Sequence, residues 1–225
     1  MVDLIGNVAE VRRRIADAGG ADRVRLLAVT KGFGVDAVDA ALRAGITDIA
    51  ESYAQELLAK RPEVTASTED GAGPTWHFIG RLQTNKVRQL VDLVDVWHTI
   101  DRATLGDELA KRAAGARVLL QVNVSDEPQK GGCGPHEAPA LVNRLRKGGL
   151  DVVGLMAIGA TGEPEAARPG FRLLNRLADD LGLVERSMGM SGDLEVAVEE
   201  GSTMVRIGRA LFGERPRPEP GHPSN

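Results

Sequence analysis

The feature that most constrains the fold of this chain is a regular alternation of short apolar runs with helical patterns. A short apolar run bounded by turn residues is typical of a buried strand, and apolar residues three and four positions apart are typical of a helix that packs on one face. Eight such runs occur, and a helical pattern follows each of them. The predicted strands are Val24–Lys31, Asp48–Ser52, Thr75–Ile79, Asp95–Ile100, Arg117–Val124, Val152–Ile158, Arg186–Met190 and Met204–Ile207.

Eight strands that alternate with helices predict an α/β fold, a single parallel (β/α)8 barrel of the TIM type. A doubly wound open sheet is disfavoured because Gly32-Phe33-Gly34 lacks the third glycine of a dinucleotide-binding turn. We expect the barrel to occupy residues 1–213 and the proline-rich residues 214–225 to form a disordered tail. The helices after the strands are predicted near Asp36–Ala44, Tyr53–Lys60, Asn85–Leu93, Ala103–Ala113, Pro135–Lys147, Pro169–Leu181 and Leu194–Glu200, with a short last helix from Arg209.

An extra helix is predicted before the first strand. Its apolar residues fall on one stripe, and its three consecutive arginines, residues 12–14, are expected on the solvent face. The predicted buried stripe consists of Leu4, Ile5, Val8, Val11 and Ile15.

Charge and cysteine content narrow the environment of the protein. A formal net charge of -4 argues against nucleic acid or an anionic membrane as the main partner, because phosphates attract a cationic excess. The single cysteine, Cys133, excludes an intramolecular disulfide and fits a reducing compartment. No apolar run is long enough to span a bilayer, so a cytoplasmic location is expected.

Lys31 ends the first predicted strand. Alternate residues of a strand share a face, so Leu27, Val29 and Lys31 point to the same side. An ammonium on an apolar face loses hydration, which favours the neutral amine that condenses with a carbonyl to form a Schiff base. The alternative is a lysine that leaves the end of the strand and reaches water.

The loops after the last two strands predict a phosphate site. Barrels often bind phosphate between these loops, with backbone N–H groups and the start of a short helix. Gly189-Met190-Ser191-Gly192 offers a close backbone approach and a hydroxyl, and Gly208 opens the last helix. The alternative is that these glycines only shape tight turns, with Ser191 or Asp193 as a helix cap.

Arg206 shares a face with Met204 and Gly208 and is predicted inside the barrel. A buried arginine needs a partner, either a carboxylate such as Glu51 or Asp193 or a hydrogen bond acceptor on a ligand. His77 and His98 lie within apolar strands and are expected to be hydrogen-bonded core residues. The spacing of the histidines and Cys133 does not resemble a metal site, so no metal is expected.

A phosphate site, a desolvated lysine and a buried arginine at one barrel mouth together suggest pyridoxal 5'-phosphate (PLP) as the cofactor. Six separated motifs, in order, resemble the pyridoxal phosphate homeostasis protein family, which is related to the barrel domain of alanine racemase. They are Ala28–Lys31, Glu51–Glu56, Trp76–Lys86, Gly154–Met156, Ser187–Asp193 and Gly201–Gly208, the last followed by Leu211–Gly213. Two departures are Ala50, where the family often has glycine, and a loop after Lys31 without the usual proline.

The resemblance implies a Schiff base between PLP and Lys31, and Arg206 facing the pyridine nitrogen. It implies phosphate contacts from Ser191, Gly192 and Gly208, with Asn123 and Met188 near the ring.

An arginine against that nitrogen keeps it unprotonated and weakens the ring as an electron sink. We therefore expect a monomeric PLP-binding protein without catalytic turnover, which takes part in PLP homeostasis and supplies PLP-dependent apo-enzymes. The alternatives are a weak or narrow amino-acid racemase and a sugar-phosphate aldolase or isomerase that uses Lys31 as its Schiff base.

Overall fold

The eight strands close into one parallel barrel. The computed structural model describes residues 2–64 and 73–215. Each strand pairs with the next along the chain, and β8 returns to pair with β1. The strands are β1 Arg25–Val29, β2 Asp48–Glu51, β3 Thr75–Phe78, β4 Val96–Ile100, β5 Arg117–Gln121, β6 Asp151–Met156, β7 Glu185–Ser187 and β8 Met204–Ile207. The helices are α1 Leu4–Asp17, α2 Val35–Arg43, α3 Ala54–Lys60, α4 Val87–Leu90, α5 Ala103–Arg112, α6 Ala138–Lys147, α7 Arg168–Asp180, α8 Leu194–Glu199 and α9 Arg209–Phe212.

The predicted (β/α)8 barrel is confirmed, and the differences lie at the ends of the elements. Several predicted strands run too far at their carboxyl ends: β1 ends at Val29, β5 at Gln121 and β7 at Ser187. The residues beyond these points belong to the loops at the barrel mouth. The helix predicted over Asn85–Leu93 shrinks to one turn, α4, because residues 84–86 form a 3-10 turn and β4 follows closely.

The strands separate two apolar cores. The larger core lies between the strands and the surrounding helices, and it contains Trp76, Phe78, Trp97 and Phe171. The smaller core fills the inside of the barrel and contains Leu27, Val29 and Met204. The interior also holds buried polar side chains, His77, His98, Ser187 and Arg206 among them. Because successive residues of a strand point to opposite faces, the outer face is mainly apolar and the inner face carries these polar side chains.

Helix α1 packs on the outside of the barrel against α8 and α9. Val8, Val11 and Ile15 are buried as predicted, but Ile5 is 75% exposed, so its place on the buried stripe was wrong. Arg14, expected on the solvent face, is partly buried, and its Nε lies 2.6 Å from a carboxylate oxygen of Glu195 on α8.

The described chain continues to Arg215, and residues 216–225 of the predicted tail lie outside the described residues. Within residues 2–64 and 73–215, none of the helices is long and apolar enough to cross a membrane.

Gly154 of β6 provides a test of how tightly the barrel closes. A Cβ at this position would lie 2.1 Å from the backbone oxygen of Glu185 on β7. We expect Gly154→Ala to destabilise the protein by about 1–3 kcal/mol, because the two paired strands must move apart. Urea unfolding measures the change. Gly73→Ala is the control, since an added Cβ there meets nothing within 4 Å, and equal stability of the two variants would contradict the prediction.

Candidate active site

A cavity of about 560 Å³ opens at the carboxyl ends of the strands, where β1 and β8 meet. It brings together five of the predicted site residues: Lys31, Ser191, Gly192, Arg206 and Gly208. The remainder of the wall comes from Val29, Phe33, Ile79, Met190, Arg209, Gly213, Glu214 and Arg215. The predicted loops after β7 and β8 thus border the same space as the predicted lysine.

Lys31 leaves the end of β1 and is only partly exposed. Burial lowers the pKa of its amine, and the nearby charges of Arg215 and Arg206 lower it further, although Glu51 and Glu56 oppose them. Both arginines that lower the pKa of Lys31 line the cavity. A larger fraction of Lys31 is therefore the neutral, nucleophilic amine at a given pH than for an exposed lysine.

The side of the cavity formed by the last two loops is rich in hydrogen bond donors and positive charge. Ser191 Oγ accepts a hydrogen bond of 3.3 Å from the backbone N–H of Ala210, which joins the loop after β7 to α9. Arg209 and Arg215 add two guanidinium groups to the wall. Arg215 was not among the predicted site residues, because its proline-rich surroundings indicated a tail. Asp193 occupies the N-cap position of α8, as considered, but its side chain makes no cap hydrogen bond and accepts a 2.6 Å hydrogen bond from the Met190 N–H.

Arg206 is 4% exposed and lies inside the barrel as predicted. Its Nη1 donates to the backbone oxygen of Ser187 at 2.7 Å and to Ser187 Oγ at 2.8 Å, and its Nη2 donates to the backbone oxygen of Ala157 at 2.9 Å. Of the two alternatives for its partner, the carboxylates Glu51 and Asp193 make no hydrogen bond with Arg206, although the charge of Asp193 acts on it. Burial lowers the pKa of Arg206 to about 10, which leaves it charged at neutral pH.

The geometry explains why neither carboxylate pairs with Arg206. Glu51 lies on the outer face of β2 and binds Thr30 and Lys60, while Asp193 is engaged by the Met190 N–H. Two backbone oxygens and one hydroxyl oxygen accept the hydrogen bonds of Arg206 instead. Since a guanidinium has five N–H groups and the described residues accept three hydrogen bonds from it, donors remain for an acceptor in the cavity.

Two predicted site residues lie away from the cavity wall. Asn123 follows β5, where its side chain donates to the backbone oxygen of Glu127 and accepts from the N–H of Ser125. Met188 is fully buried in the outer core. A contact between either residue and a bound ring stays a prediction.

A buried ionic cluster stands directly behind Lys31, on the outer side of the barrel wall. Lys60 of α3 is 5% exposed, and its Nζ lies 2.7 Å from Glu51 Oε1, 2.8 Å from Glu56 Oε2 and 2.8 Å from the backbone oxygen of Thr30. Glu56 Oε2 also accepts a 2.8 Å hydrogen bond from the Gly32 N–H. The cluster therefore fixes the backbone on both sides of Lys31.

The cluster was not predicted, although its spacing contains a signal. Lys60 follows the buried Leu57 by three residues, so both lie on the inward face of α3. Burial raises the pKa of Glu51 against the opposing effects of Lys60 and Thr30. Its Oε2 is buried and has no hydrogen bond partner among the described residues.

His77 and His98 are fully buried and hydrogen-bonded, as predicted for core histidines. Among residues 2–64 and 73–215, no three His, Cys, Asp or Glu side chains are grouped closely enough to hold a metal ion. Cys133 is buried, and burial raises the pKa of its thiol to about 12.

Comparison with known proteins identifies the family. Residues 3–216 match the model of the alanine racemase N-terminal domain. The pyridoxal phosphate homeostasis protein of Pseudomonas aeruginosa is 42% identical over 228 residues, which cover 96% of this chain and 97% of that protein. The chain belongs to the pyridoxal phosphate homeostasis protein family. The resemblance noted in the six sequence motifs is thereby confirmed.

Solved structures of this family share the barrel. PipY from Synechococcus elongatus without PLP is 32% identical and superposes with a TM-score of 0.80, covering 90% of this chain and 100% of that chain. PipY with PLP bound has the same identity and coverage and a TM-score of 0.75. The relatives have nearly the length of this chain, so the similarity extends over the whole barrel.

The buried cluster predicts a large effect of Lys60→Met. The substitution removes the ammonium that pairs with the buried carboxyl group of Glu51, so we expect a loss of about 3–5 kcal/mol in the free energy of unfolding. Urea unfolding measures this loss. Adding Glu51→Gln to Lys60→Met removes the unpaired carboxyl group and should restore part of the stability.

The control is Asp107→Asn, which breaks the exposed pair between Asp107 and Arg144 and should change stability little. A loss after Lys60→Met no larger than that of the control would contradict the buried role of the cluster.

Proposed function

We propose that this chain binds PLP as a Schiff base on Lys31 and takes part in intracellular PLP homeostasis and supply. The observation that carries the proposal is the shared cavity: Lys31 and Arg206 line it together with the loops that contain Ser191, Gly192 and Gly208. Two relatives support PLP as the ligand: one is named a pyridoxal phosphate homeostasis protein, and PipY has been solved with PLP bound.

The cavity fits a phosphorylated aldehyde. Its volume of about 560 Å³ lies within the roughly 300–1,000 Å³ usual for small-molecule sites. Arg209 and Arg215 supply positive charge for a phosphate, and the Ser191 hydroxyl and the backbone at Gly192 and Gly208 supply hydrogen bond donors. Lys31 lines the same cavity, and because its pKa is lowered it supplies the neutral amine that an aldehyde requires.

Arg206 decides what a bound cofactor can do. When bound, PLP offers an aldehyde for covalent attachment and a pyridine ring that acts as an electron sink when its nitrogen is protonated. Arg206 donates hydrogen bonds and stays charged at neutral pH, so a ring nitrogen facing it receives a hydrogen bond but no proton. The residue therefore holds the ring and keeps it a weak sink, which suits a protein that carries the cofactor.

A racemase is less favoured by the distribution of proton donors. Racemisation requires an acid or base on each face of the reacting carbon. Tyr53 is the only tyrosine in the sequence, and it lines a different cavity of about 1030 Å³, together with Arg81, Lys86 and Arg102. No named relative favours a sugar-phosphate aldolase or isomerase.

We also propose that the protein acts as a monomer in the cytoplasm and passes PLP to apo-enzymes. The small number of cysteines and the acidic net charge are consistent with this setting. Light scattering of the purified protein tests the monomer. Incubating the PLP-loaded protein with a PLP-dependent apo-enzyme tests the transfer, and failure to activate the apo-enzyme beyond a free-PLP control would overturn it.

Covalent attachment is tested by replacing the lysine. We expect wild-type protein to gain visible absorbance with PLP and to carry the label on Lys31 after borohydride reduction, as peptide mapping would show. Lys31→Ala should lose both signals because the amine is gone. Lys86→Ala is the matched control, since Lys86 lines the other cavity. A label on Lys86 or Lys130 in the wild type would contradict the proposal.

The pKa of Lys31 predicts how PLP capture depends on pH. Because the folded pKa lies below the ordinary value of 10.5, the capture rate should rise with pH and level off below that value. Arg215→Gln removes a cation that lowers this pKa, so its midpoint should lie at a higher pH. Stopped-flow absorbance over a pH series measures the midpoint, and an unchanged midpoint would show that Arg215 does not act on the amine.

A further inference from the structure

Polar side chains form a continuous hydrogen-bonded chain through the barrel interior, from Asp48 at the start of β2 to Arg206 in the cavity. Asp48 Oδ1 lies 2.8 Å from His77 Nε2, and His77 Nδ1 lies 2.8 Å from His98 Nε2. His98 Nδ1 lies 3.0 Å from Ser187 Oγ on the far side of the barrel. The same oxygen accepts a 2.8 Å hydrogen bond from Arg206 Nη1. His77, His98 and Ser187 are fully buried.

The two ends of the chain fix the direction of the hydrogen bonds that they make. A guanidinium can only donate, so Arg206 is the donor to Ser187. Burial opposes ionisation of Asp48, but the hydrogen bond from His77 and the nearby charge of Arg25 lower its pKa on balance. Asp48 is therefore an ionised carboxylate at neutral pH and can only accept.

With both rings neutral, the positions of the protons follow from these ends. His77 must carry its proton on Nε2 to donate to Asp48, and as a neutral ring it then accepts at Nδ1. His98 must donate from Nε2, which leaves its Nδ1 to accept from the Ser187 hydroxyl. This arrangement satisfies every polar atom with both imidazoles neutral. Burial agrees with a neutral His98, since it holds the pKa of this ring well below 6.5, and the charges of Arg206 and Arg25 lower it further.

The chain polarises Arg206 and does not carry protons to it. Neither end exchanges a proton at neutral pH, because Arg206 stays charged and Asp48 stays ionised. Hydrogen bonds in series strengthen one another at low dielectric, so Ser187 Oγ becomes a better acceptor than an isolated hydroxyl. The charge of Asp48 thus acts through two rings and a hydroxyl on an arginine that has no carboxylate among its hydrogen bond acceptors.

We propose that Asp48, His77, His98 and Ser187 are positioning residues that orient Arg206 in the cavity and stabilise its charge there. The consequence for PLP rests on the proposed function, in which Arg206 faces the pyridine nitrogen. The direction of the chain is a property of the protein alone.

The first test measures the histidine tautomers in the protein without added PLP. Ring ¹⁵N shifts from long-range ¹H–¹⁵N correlation spectra distinguish a proton on Nδ1 from one on Nε2, and His136→Gln and His222→Gln variants identify the signals of the other two histidines. We expect both His77 and His98 to carry the proton on Nε2 and none on Nδ1. A proton on Nδ1 of either ring would overturn the direction of the chain.

The second test changes the accepting end. Asp48→Asn replaces an obligate acceptor by a group that also donates, so the tautomer of His77 should no longer be fixed. Arg25→Gln is the matched control, because it removes the 3.6 Å contact to Asp48 but keeps the acceptor. We expect altered ring shifts in Asp48→Asn and unchanged tautomers in Arg25→Gln, and the reverse outcome would overturn the proposal.

The third test measures PLP affinity after changes at Ser187. Ser187→Ala removes the hydroxyl but keeps the backbone oxygen that Arg206 also binds, and we expect PLP to bind about tenfold more weakly. Ser187→Thr retains a hydroxyl and should recover most of this loss. If Ser187→Ala does not fold, as judged by circular dichroism, Asp48→Asn takes its place with the same expected direction.

These outcomes separate the two proposals. Wild-type affinity in Ser187→Ala, with wild-type protein labelled on Lys31, would overturn the positioning role alone. Absence of PLP labelling in the wild type would overturn the proposed function, while the tautomers would still report the direction of the chain.

Discussion

The structure depends on satisfying polar groups inside a closed barrel, from which most water is excluded. Arg206 is the most demanding of these groups, because a buried guanidinium carries a full charge. The protein gives it two backbone oxygens and one hydroxyl instead of a carboxylate. A direct ion pair would have neutralised the charge in the cavity. Neutral acceptors hold the guanidinium in place and leave its field directed at whatever occupies the site.

Two polar networks support the candidate site from opposite sides of the barrel wall. The cluster around Lys60 lies outside β1 and β2 and holds the backbone that flanks Lys31. The chain that includes His77 and His98 lies inside and holds Arg206. The amine and the guanidinium are thus each fixed by groups that do not line the cavity. Such support from surrounding residues is what allows a binding geometry to be maintained without a ligand.

The barrel and the lysine could be predicted because they follow from local periodicity. Strand alternation alone places Leu27, Val29 and Lys31 on one face, and the structure has the first two inside the barrel and the third in the cavity. The partners of Arg206 could not be predicted in this way. They depend on contacts across the barrel, such as that between β4 and β7, which no spacing along the chain encodes. Arg215 was missed for a different reason, since the composition of its neighbours masked its position.

The closure of the barrel also determines when the site can exist. β1, which leads into Lys31, is translated before β8, which contains Arg206. The two strands pair directly, with Leu27 opposite Arg206. Until β8 pairs with β1 and closes the barrel, Lys31 remains hydrated and Arg206 has no fixed position in the interior. A site that needs both the Lys31 amine and the Arg206 guanidinium is therefore complete only after β8 has been translated and paired, and a nascent chain stalled before β8 would lack it.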